Sequence, residues 1–359
     1  MAETRETRQL WAADCRLRAQ GRRGGACAVE APGRTLPACE ATLRQREGKL
    51  ERLIKSAHLS RPENYLSIYQ SGCNFSCRKC HSWHFSQRPT GSWCTVETLL
   101  AICRDYEKQV TLREPRAKAT AWHAADTCRC CGSCVTAGGR SPTCPGVLEA
   151  GQIALSPQGF GPVRNIVAFT GGDLTCRPDF YADFARRVKA ETKLWVLIET
   201  NGWGLTPENL DVLQAAGVDA FWLDIKAHDE KAHEWLTGCT NRWILELPGE
   251  ILRRGFVLEV LSLYIPDLVE TGQLRRIAEL LAAADEEVPF TILAFFPEYE
   301  MGDFRTPTAD EMLDACAAAR EAGLKNVRVG NVGVFARSRE EADRVMEATE
   351  GTDRRERRP

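Results

Sequence analysis

Three cysteines, Cys73, Cys77 and Cys80, stand at Cys-x3-Cys-x2-Cys spacing within Ser-Gly-Cys-Asn-Phe-Ser-Cys-Arg-Lys-Cys-His, directly after an alternating stretch, 64–70, that reads as a strand. Thiolates suit iron–sulfur or zinc chemistry. Three of them cannot saturate a four-iron cluster. One iron is then left to chelate the amino and carboxylate groups of a ligand, to which the cluster can pass a single electron. Zinc is the alternative, and it wants a fourth Cys or His, which His81 or His84 could supply.

A second group is Cys128-x2-Cys131-x2-Cys134 followed by Cys144-Pro145. It is similar to half of a bacterial ferredoxin motif, with a longer last gap, so Cys130 competes with Cys144 as the fourth ligand. Four thiolates would close an auxiliary 4Fe–4S cluster, leaving it to relay electrons or hold its loop. A four-cysteine zinc knuckle fits the same spacing. Cys15, Cys27 and Cys39 recur every twelve residues, but a third metal site is not expected from them. Cys94, Cys103, Cys176, Cys239 and Cys316 read as buried small apolar residues. His58, His123, His228 and His233 have no partner spacing and are expected at the surface.

Strand ends hold the other candidates. Phe-Thr-Gly-Gly-Asp, 169–173, closes a buried strand. Gly171 and Gly172 would let the backbone approach a ligand, with Asp173 beside it; a tight strand-to-helix turn is the plainer reading. Glu199-Thr200-Asn201-Gly202 and Leu223-Asp224-Ile225-Lys226 follow the next two strands. A carboxylate and an ammonium from one strand end, Asp224 and Lys226, would pair in a pocket that holds a zwitterion, or form a plain ion pair.

These residues need a scaffold that gathers strand ends. From residue 165 apolar strand-like runs alternate with amphipathic helical ones: strands at 166–170, 194–200, 220–226, 256–265, 290–296 and 327–329, helices at 178–192, 207–216, 242–254, 274–284 and 309–322. Such repetition implies a parallel sheet with right-handed crossovers, closed or partly closed, whose chemistry collects at the carboxyl ends of the strands. Residues 1–60 read as an N-terminal extension with a helix near 45–56. Residues 61–336 form the barrel, interrupted at 94–160 by a helix (96–108) and a Gly/Cys/Pro-rich loop. Residues 337–359 read as a charged tail, a helix end fraying into disorder.

With 359 residues, 43% hydrophobic and 27% charged, the chain has an ordinary globular composition, and its net charge of −2 gives no field for nucleic acid. No apolar run is long enough for a membrane span and no signal peptide is evident. Sixteen clustered cysteines in such a chain point to metal binding in a reducing compartment, and the cytoplasm is the expected location.

The Cys73–Cys80 loop after a first strand resembles that of the radical S-adenosylmethionine superfamily, and the resemblance runs from about Tyr65 to Gly330. It implies a partial (β/α)6 barrel of α/β class with the cysteine-rich, ferredoxin-like segment inserted. It also implies a three-cysteine 4Fe–4S cluster that cleaves S-adenosylmethionine to a 5′-deoxyadenosyl radical, which abstracts hydrogen from a substrate. Gly171, Gly172 and Asp173 match the family's Gly-Gly-Glu contact to the methionine amino group. Glu199, Thr200, Asn201, Asp224, Lys226 and 231–241 resemble the glycyl-radical-enzyme activases, the pyruvate formate-lyase activating group, where matching residues lie near S-adenosylmethionine and the hydrogen-abstraction site. Phe296 stands where activases carry a His near the adenine, and Lys79 replaces the aromatic residue usual before the third cysteine. The implied partners are a glycyl-radical enzyme, or another protein, peptide or small-molecule substrate, and a flavodoxin or ferredoxin reductant. A non-catalytic electron carrier or zinc scaffold is the alternative of another class.

Overall fold

Runs such as Ile166–Val167–Ala168–Phe169, at most 1% exposed, have the near-continuous apolar character of parallel strands covered on both faces. The computed structural model describes residues 8–349 and divides into two compact units. The first comprises Met1–Asn74, Ser82–Trp222 and Arg253–Val257, the second Phe75–His81, Leu223–Leu252 and Leu258–Pro359. The fold class is α/β, with the strand–helix alternation of a partial (β/α)6 barrel.

In the first unit β1 (Ala28–Ala31) and β2 (Arg34–Pro37) make a small hairpin. An antiparallel run follows: β3 (Leu43–Arg46), β4 (Lys49–Ser60) and β5 (Tyr65–Gln70), with β6 (Ser92–Thr95) on β4. After the β7 (Ala154–Ser156) and β8 (Gly159–Gly161) hairpin, β9 (Ile166–Gly171) lies parallel to β5, and β10 (Trp195–Thr200) parallel to β9. Tyr65, Ile166, Ala168, Leu197 and Ala220 form one fully buried cluster. β11 (Ala220–Asp224) leaves the first unit after Trp222 and ends in the second. There β12 (Val257–Tyr264), β13 (Phe290–Ala294) and β14 (Val327–Gly330) run parallel.

Helices start where their caps allow. Pro178–Glu191 and Pro207–Ala215 carry Pro in the first turn. Ala309–Glu321 opens with a capping box between Thr308 and Glu311. Among the described residues no helix is long and apolar enough to cross a membrane.

Three expectations need correction. The helix expected near 45–56 is strand: β4 pairs with β3, β5 and β6. Arg52 within it is fully buried, its guanidinium bonding Thr42 Oγ1 and the Ser71 carbonyl at 3.0 Å each. Partners on both sides outweigh the helix-like spacing of Leu50, Leu53, Ile54 and Ala57. Residues 128–161 are not all loop, since they hold the helix Ser133–Thr136 and the β7–β8 hairpin. The helix end expected in the tail is Arg339–Thr349, tied by Arg344 to Asp310 at 2.7 Å, and the rest of the tail, 350–359, lies outside the described residues. His233 is fully buried rather than at the surface.

Candidate active site

Gly172 is demanded by a close approach, but to the chain itself. A Cβ there would lie 2.1 Å from the Gly72 carbonyl oxygen, and the Gly172 amide donates to the Gln70 carbonyl at 2.8 Å. The strand-end glycines thus let β9 close against the start of the cysteine loop. Gly171 sits at φ +89°, with the Phe85 ring where a side chain would go. The Asn74 amide, next to Cys73, donates to the Asp173 carbonyl at 2.9 Å.

The buried Asp173 carboxylate takes four donors: the Thr175 amide (2.7 Å), Thr175 Oγ1 (2.8 Å), Thr200 Oγ1 (2.6 Å) and the Asn201 amide (2.9 Å). Asp173 thereby binds the strand ends of β9 and β10 together. Asn201 Nδ2 reaches Cys73 Sγ at 3.6 Å and Asn74 Oδ1 at 2.7 Å. Glu199 faces elsewhere, taking hydrogen bonds from Tyr65 Oη at 3.1 Å and from Thr170 Oγ1. Gly172, Asp173 and Asn201 therefore lie against the Cys73 end of the loop, Thr200 is linked to it through Asp173 and Gly171 packs on Phe85, whereas Glu199 is tied back to β5 and β9.

In the second unit the loop around Cys77 rests on the end of the helix Glu230–Thr237, which the sequence reading missed. The Ser76 amide donates to the Thr237 carbonyl at 3.0 Å, and the Arg78 amide to the Leu236 carbonyl at 2.8 Å. The signals for that helix were present: Asp229 caps its start, accepting from the Ala232 amide at 2.8 Å, and Gly238 closes it at φ +81°.

Asp224 and Lys226 form an ion pair, with side chains 22% and 17% exposed. Asp224 Oδ1 is buried with no hydrogen-bond partner among the described residues. Burial opposes the Lys226 charge, but Asp224, with the Cys77 and Cys80 sulfurs behind it, outweighs burial and holds the ammonium above its ordinary pKa. Cys77, Lys79, Lys226, Thr237 and Leu263 line one small pocket.

Lys79 Nζ pairs with Glu298 at 2.9 Å and sits 3.5 Å from the Phe296 ring centroid. Burial pushes its pKa down despite Glu298. His81 Nδ1 bonds the same Glu298 at 2.9 Å. Phe296 is therefore covered on one face by a cation.

The second cysteine group lies in the first unit. Cys130, at φ +55°, donates its amide to Cys128 Sγ at 3.3 Å and its thiol to Asn64 Oδ1 at 3.3 Å. The Cys131 thiol bonds Ser141 Oγ at 3.5 Å, Cys134 lies on the helix Ser133–Thr136, and the Cys144 amide donates to the Ser141 carbonyl at 3.0 Å. Among the described residues no cysteine forms a disulfide. Among the described residues no three His, Cys, Asp or Glu side chains are gathered as a metal-binding group, the loop thiols included.

Residues 159–271 match the profile of the Radical SAM superfamily. That match covers less than a third of the chain. The matched segment spans β8 to the start of the helix Thr271–Ala284 and leaves the Cys73–Cys80 loop outside it. A protein of Methanocaldococcus jannaschii named for glycyl-radical enzyme activation is 27% identical over 153 residues, 42% of this chain and 57% of that protein. The chain thus matches little more than half of that relative's length. A domain of a pyruvate-formate lyase-activating enzyme from Bacteroides vulgatus superposes at a TM-score of 0.40 and 18% identity, covering 46% of this chain and 98% of that one. The FeFe-hydrogenase maturase HydG from Carboxydothermus hydrogenoformans superposes at 0.46 and 10% identity, covering 78% and 56%.

Radical SAM proteins use a 4Fe–4S cluster and S-adenosylmethionine. The donor set here fits both groups. Three thiols share one loop, which suits a cluster with an open iron. The orphaned Asp224 oxygen and the Lys226 ammonium offer an acceptor and a donor to a zwitterionic amino acid.

Proposed function

We propose that this radical SAM protein abstracts a hydrogen atom from a glycine of a partner glycyl-radical enzyme. When bound by Cys73, Cys77 and Cys80, the cluster supplies the electron that cleaves S-adenosylmethionine to a 5′-deoxyadenosyl radical. The chain's residues hold and shield. Gly172 and Asp173 brace the Cys73 end of the loop, and Asn201 donates to the Cys73 sulfur. Leu236 and Thr237 carbonyls brace the Cys77 end. Lys226 would meet a carboxylate and Asp224 Oδ1 an ammonium, and Phe296 would pack beside the adenine. Cys128, Cys131, Cys134 and Cys144 would hold an auxiliary 4Fe–4S cluster on the insertion, fed by a flavodoxin or ferredoxin in a reducing cytoplasm.

The observation that carries the reading is the pocket where Cys77 and Lys226 meet beside Asp224. The resemblance of Glu199–Gly202 and Asp224–Lys226 to activases, and the partial match to a relative named for that activity, favour glycine as the target. Anaerobic reconstitution with iron and sulfide, then assay of 5′-deoxyadenosine, tests the cleavage. Electron paramagnetic resonance of the reduced protein mixed with a glycyl-radical enzyme tests the target. Absence of 5′-deoxyadenosine rejects the whole reading, and its presence without a glycyl radical rejects the glycine.

One observation favours a second target. Lys79 over Phe296, locked by Glu298, puts a cation where the family has an aromatic residue. That arrangement suits an anionic small molecule or another peptide side chain, and the same radical assay without a partner enzyme would find it.

A further inference from the structure

Four cysteines from four separate stretches of chain line one cavity in the first unit. Cys15 precedes the short helix Arg16–Ala19, Cys27 leads into β1, and Cys39 lies in the helix Ala38–Thr42 after β2. Cys176 belongs to the turn before the helix Pro178–Glu191. Nothing in the chemistry proposed above uses them. We propose that Cys15, Cys27, Cys39 and Cys176 form a further metal site, a four-thiolate centre for a zinc ion or an iron–sulfur cluster.

Buried cysteines pack singly as small apolar residues, and that accounts for Cys103 and Cys316. It does not account for four of the sixteen cysteines converging on one cavity, three of them twelve residues apart along the chain. Four thiolates are the usual complement of a closed structural site, for zinc or for a saturated cluster. The thiols stand apart in this structure, as those of Cys73, Cys77 and Cys80 also do, so a metal would draw both sets inward. Four thiolates leave the centre negative. Arg16 and Arg177 line the cavity and offset that charge, while also pairing with Asp179 at 2.7 Å and Asp14 at 2.8 Å.

The place in the fold gives such a centre a task. Cys176 lies three residues beyond Asp173, whose carbonyl holds the Asn74 amide at 2.9 Å. The Cys27 thiol points at the Asn74 carbonyl at 4.0 Å, and a side chain at Gly25 would strike that carbonyl at 2.3 Å. The N-terminal segment is thus packed on the backbone of the Cys73 loop. Metal binding would fasten that segment over the loop, with zinc as a clasp or iron as an electron-relay centre.

The test counts metal rather than activity, so it stands apart from the function proposed above. Full-length protein carrying Cys→Ala at 73, 77, 80, 128, 131, 134 and 144 is purified anaerobically and loaded with zinc alone or with iron and sulfide. It should retain about one zinc or about four irons per chain. Adding Cys39→Ser and Cys176→Ser should abolish that metal, whereas adding Cys316→Ser should not. No retained metal, or metal indifferent to Cys39 and Cys176, overturns the site. Because multiple substitution can unfold the chain, wild-type protein is also alkylated with iodoacetamide before and after chelation. Cys15 and Cys39 should become labelled only after the metal is withdrawn, and equal labelling in both states overturns the proposal.

Discussion

The side-chain amide of Asn201 lies 3.6 Å from the Cys73 sulfur and 2.7 Å from Asn74 Oδ1. One amide group at the end of β10 therefore touches both the first thiol of the loop and the residue after it. Its own backbone is fixed by Asp173, and its Oδ1 accepts from the Trp203 amide at 2.9 Å. An amide aimed this way orients the sulfur. Asn201→Ala should weaken iron retention against a chelator by about 10- to 100-fold, the usual cost of losing a partner that orients a ligand. Retention equal to wild type would show that the bond to Asn74, not to the sulfur, is what matters.

Gly172→Ala should destabilise the protein by about 2–3 kcal/mol. The obstacle is the Gly72 carbonyl oxygen at 2.1 Å, backbone that cannot rotate away as a side-chain tip would. Gly151, whose added Cβ would meet nothing within 4 Å, is the control, and Gly151→Ala should shift stability by less than about 0.5 kcal/mol. Urea midpoints measure both. A mild effect at 172 would mean that β9 and the loop can separate at little cost.

Lys226→Met should lower 5′-deoxyadenosine formation about 100-fold or more, the scale seen when one preorganised charge is removed from an active site. Asp224→Asn should do less, since an amide still presents an oxygen where Oδ1 now lacks a partner. Because Lys226 stays protonated above its ordinary pKa, its contribution should not change between neutral and mildly alkaline pH. A rate unchanged in Lys226→Met, with circular dichroism intact, would reduce the pair to a structural contact.

Much of this arrangement was readable from residues 165–330 because parallel strands and their helices follow the two simplest periodicities. Ile166–Gly171, Trp195–Thr200 and Phe290–Ala294 lie within a few residues of where alternation of strand and helix put them. The first sixty residues were less legible. Leu50, Leu53, Ile54 and Ala57 repeat as a helix would, and only the partners of β4, including the buried Arg52, make that segment a strand. Likewise nothing local to Cys176 relates it to Cys15, Cys27 and Cys39; the fold does. The glycines at the end of β9 suggest room for a ligand in the sequence; in the fold, the group that approaches Gly172 is the Gly72 carbonyl.

His233 should make the protein acid-labile in a defined window. Its ring is buried against Phe75, edge-on at 5.6 Å, and Nδ1 donates to the Cys239 carbonyl at 2.7 Å. Desolvation pushes its pKa down to about 4; the Cys239 carbonyl and Glu230 resist, and Lys226 adds to the fall. The folded state therefore keeps the ring neutral between about pH 6.5 and 4, where the unfolded chain binds a proton. Stability from this group is complete above the unfolded pKa and is lost as pH falls through the window, up to about 3 kcal/mol in all. The loss should reach the cysteine loop, because His233 sits in the helix whose final carbonyls hold the Ser76 and Arg78 amides. Urea denaturation of metal-free protein at steps from pH 7 to 4 measures the slope without interference from cluster chemistry. His233→Gln should be less stable at pH 7 and show a flatter slope; a slope equal to that of wild type would assign the acid lability to other groups.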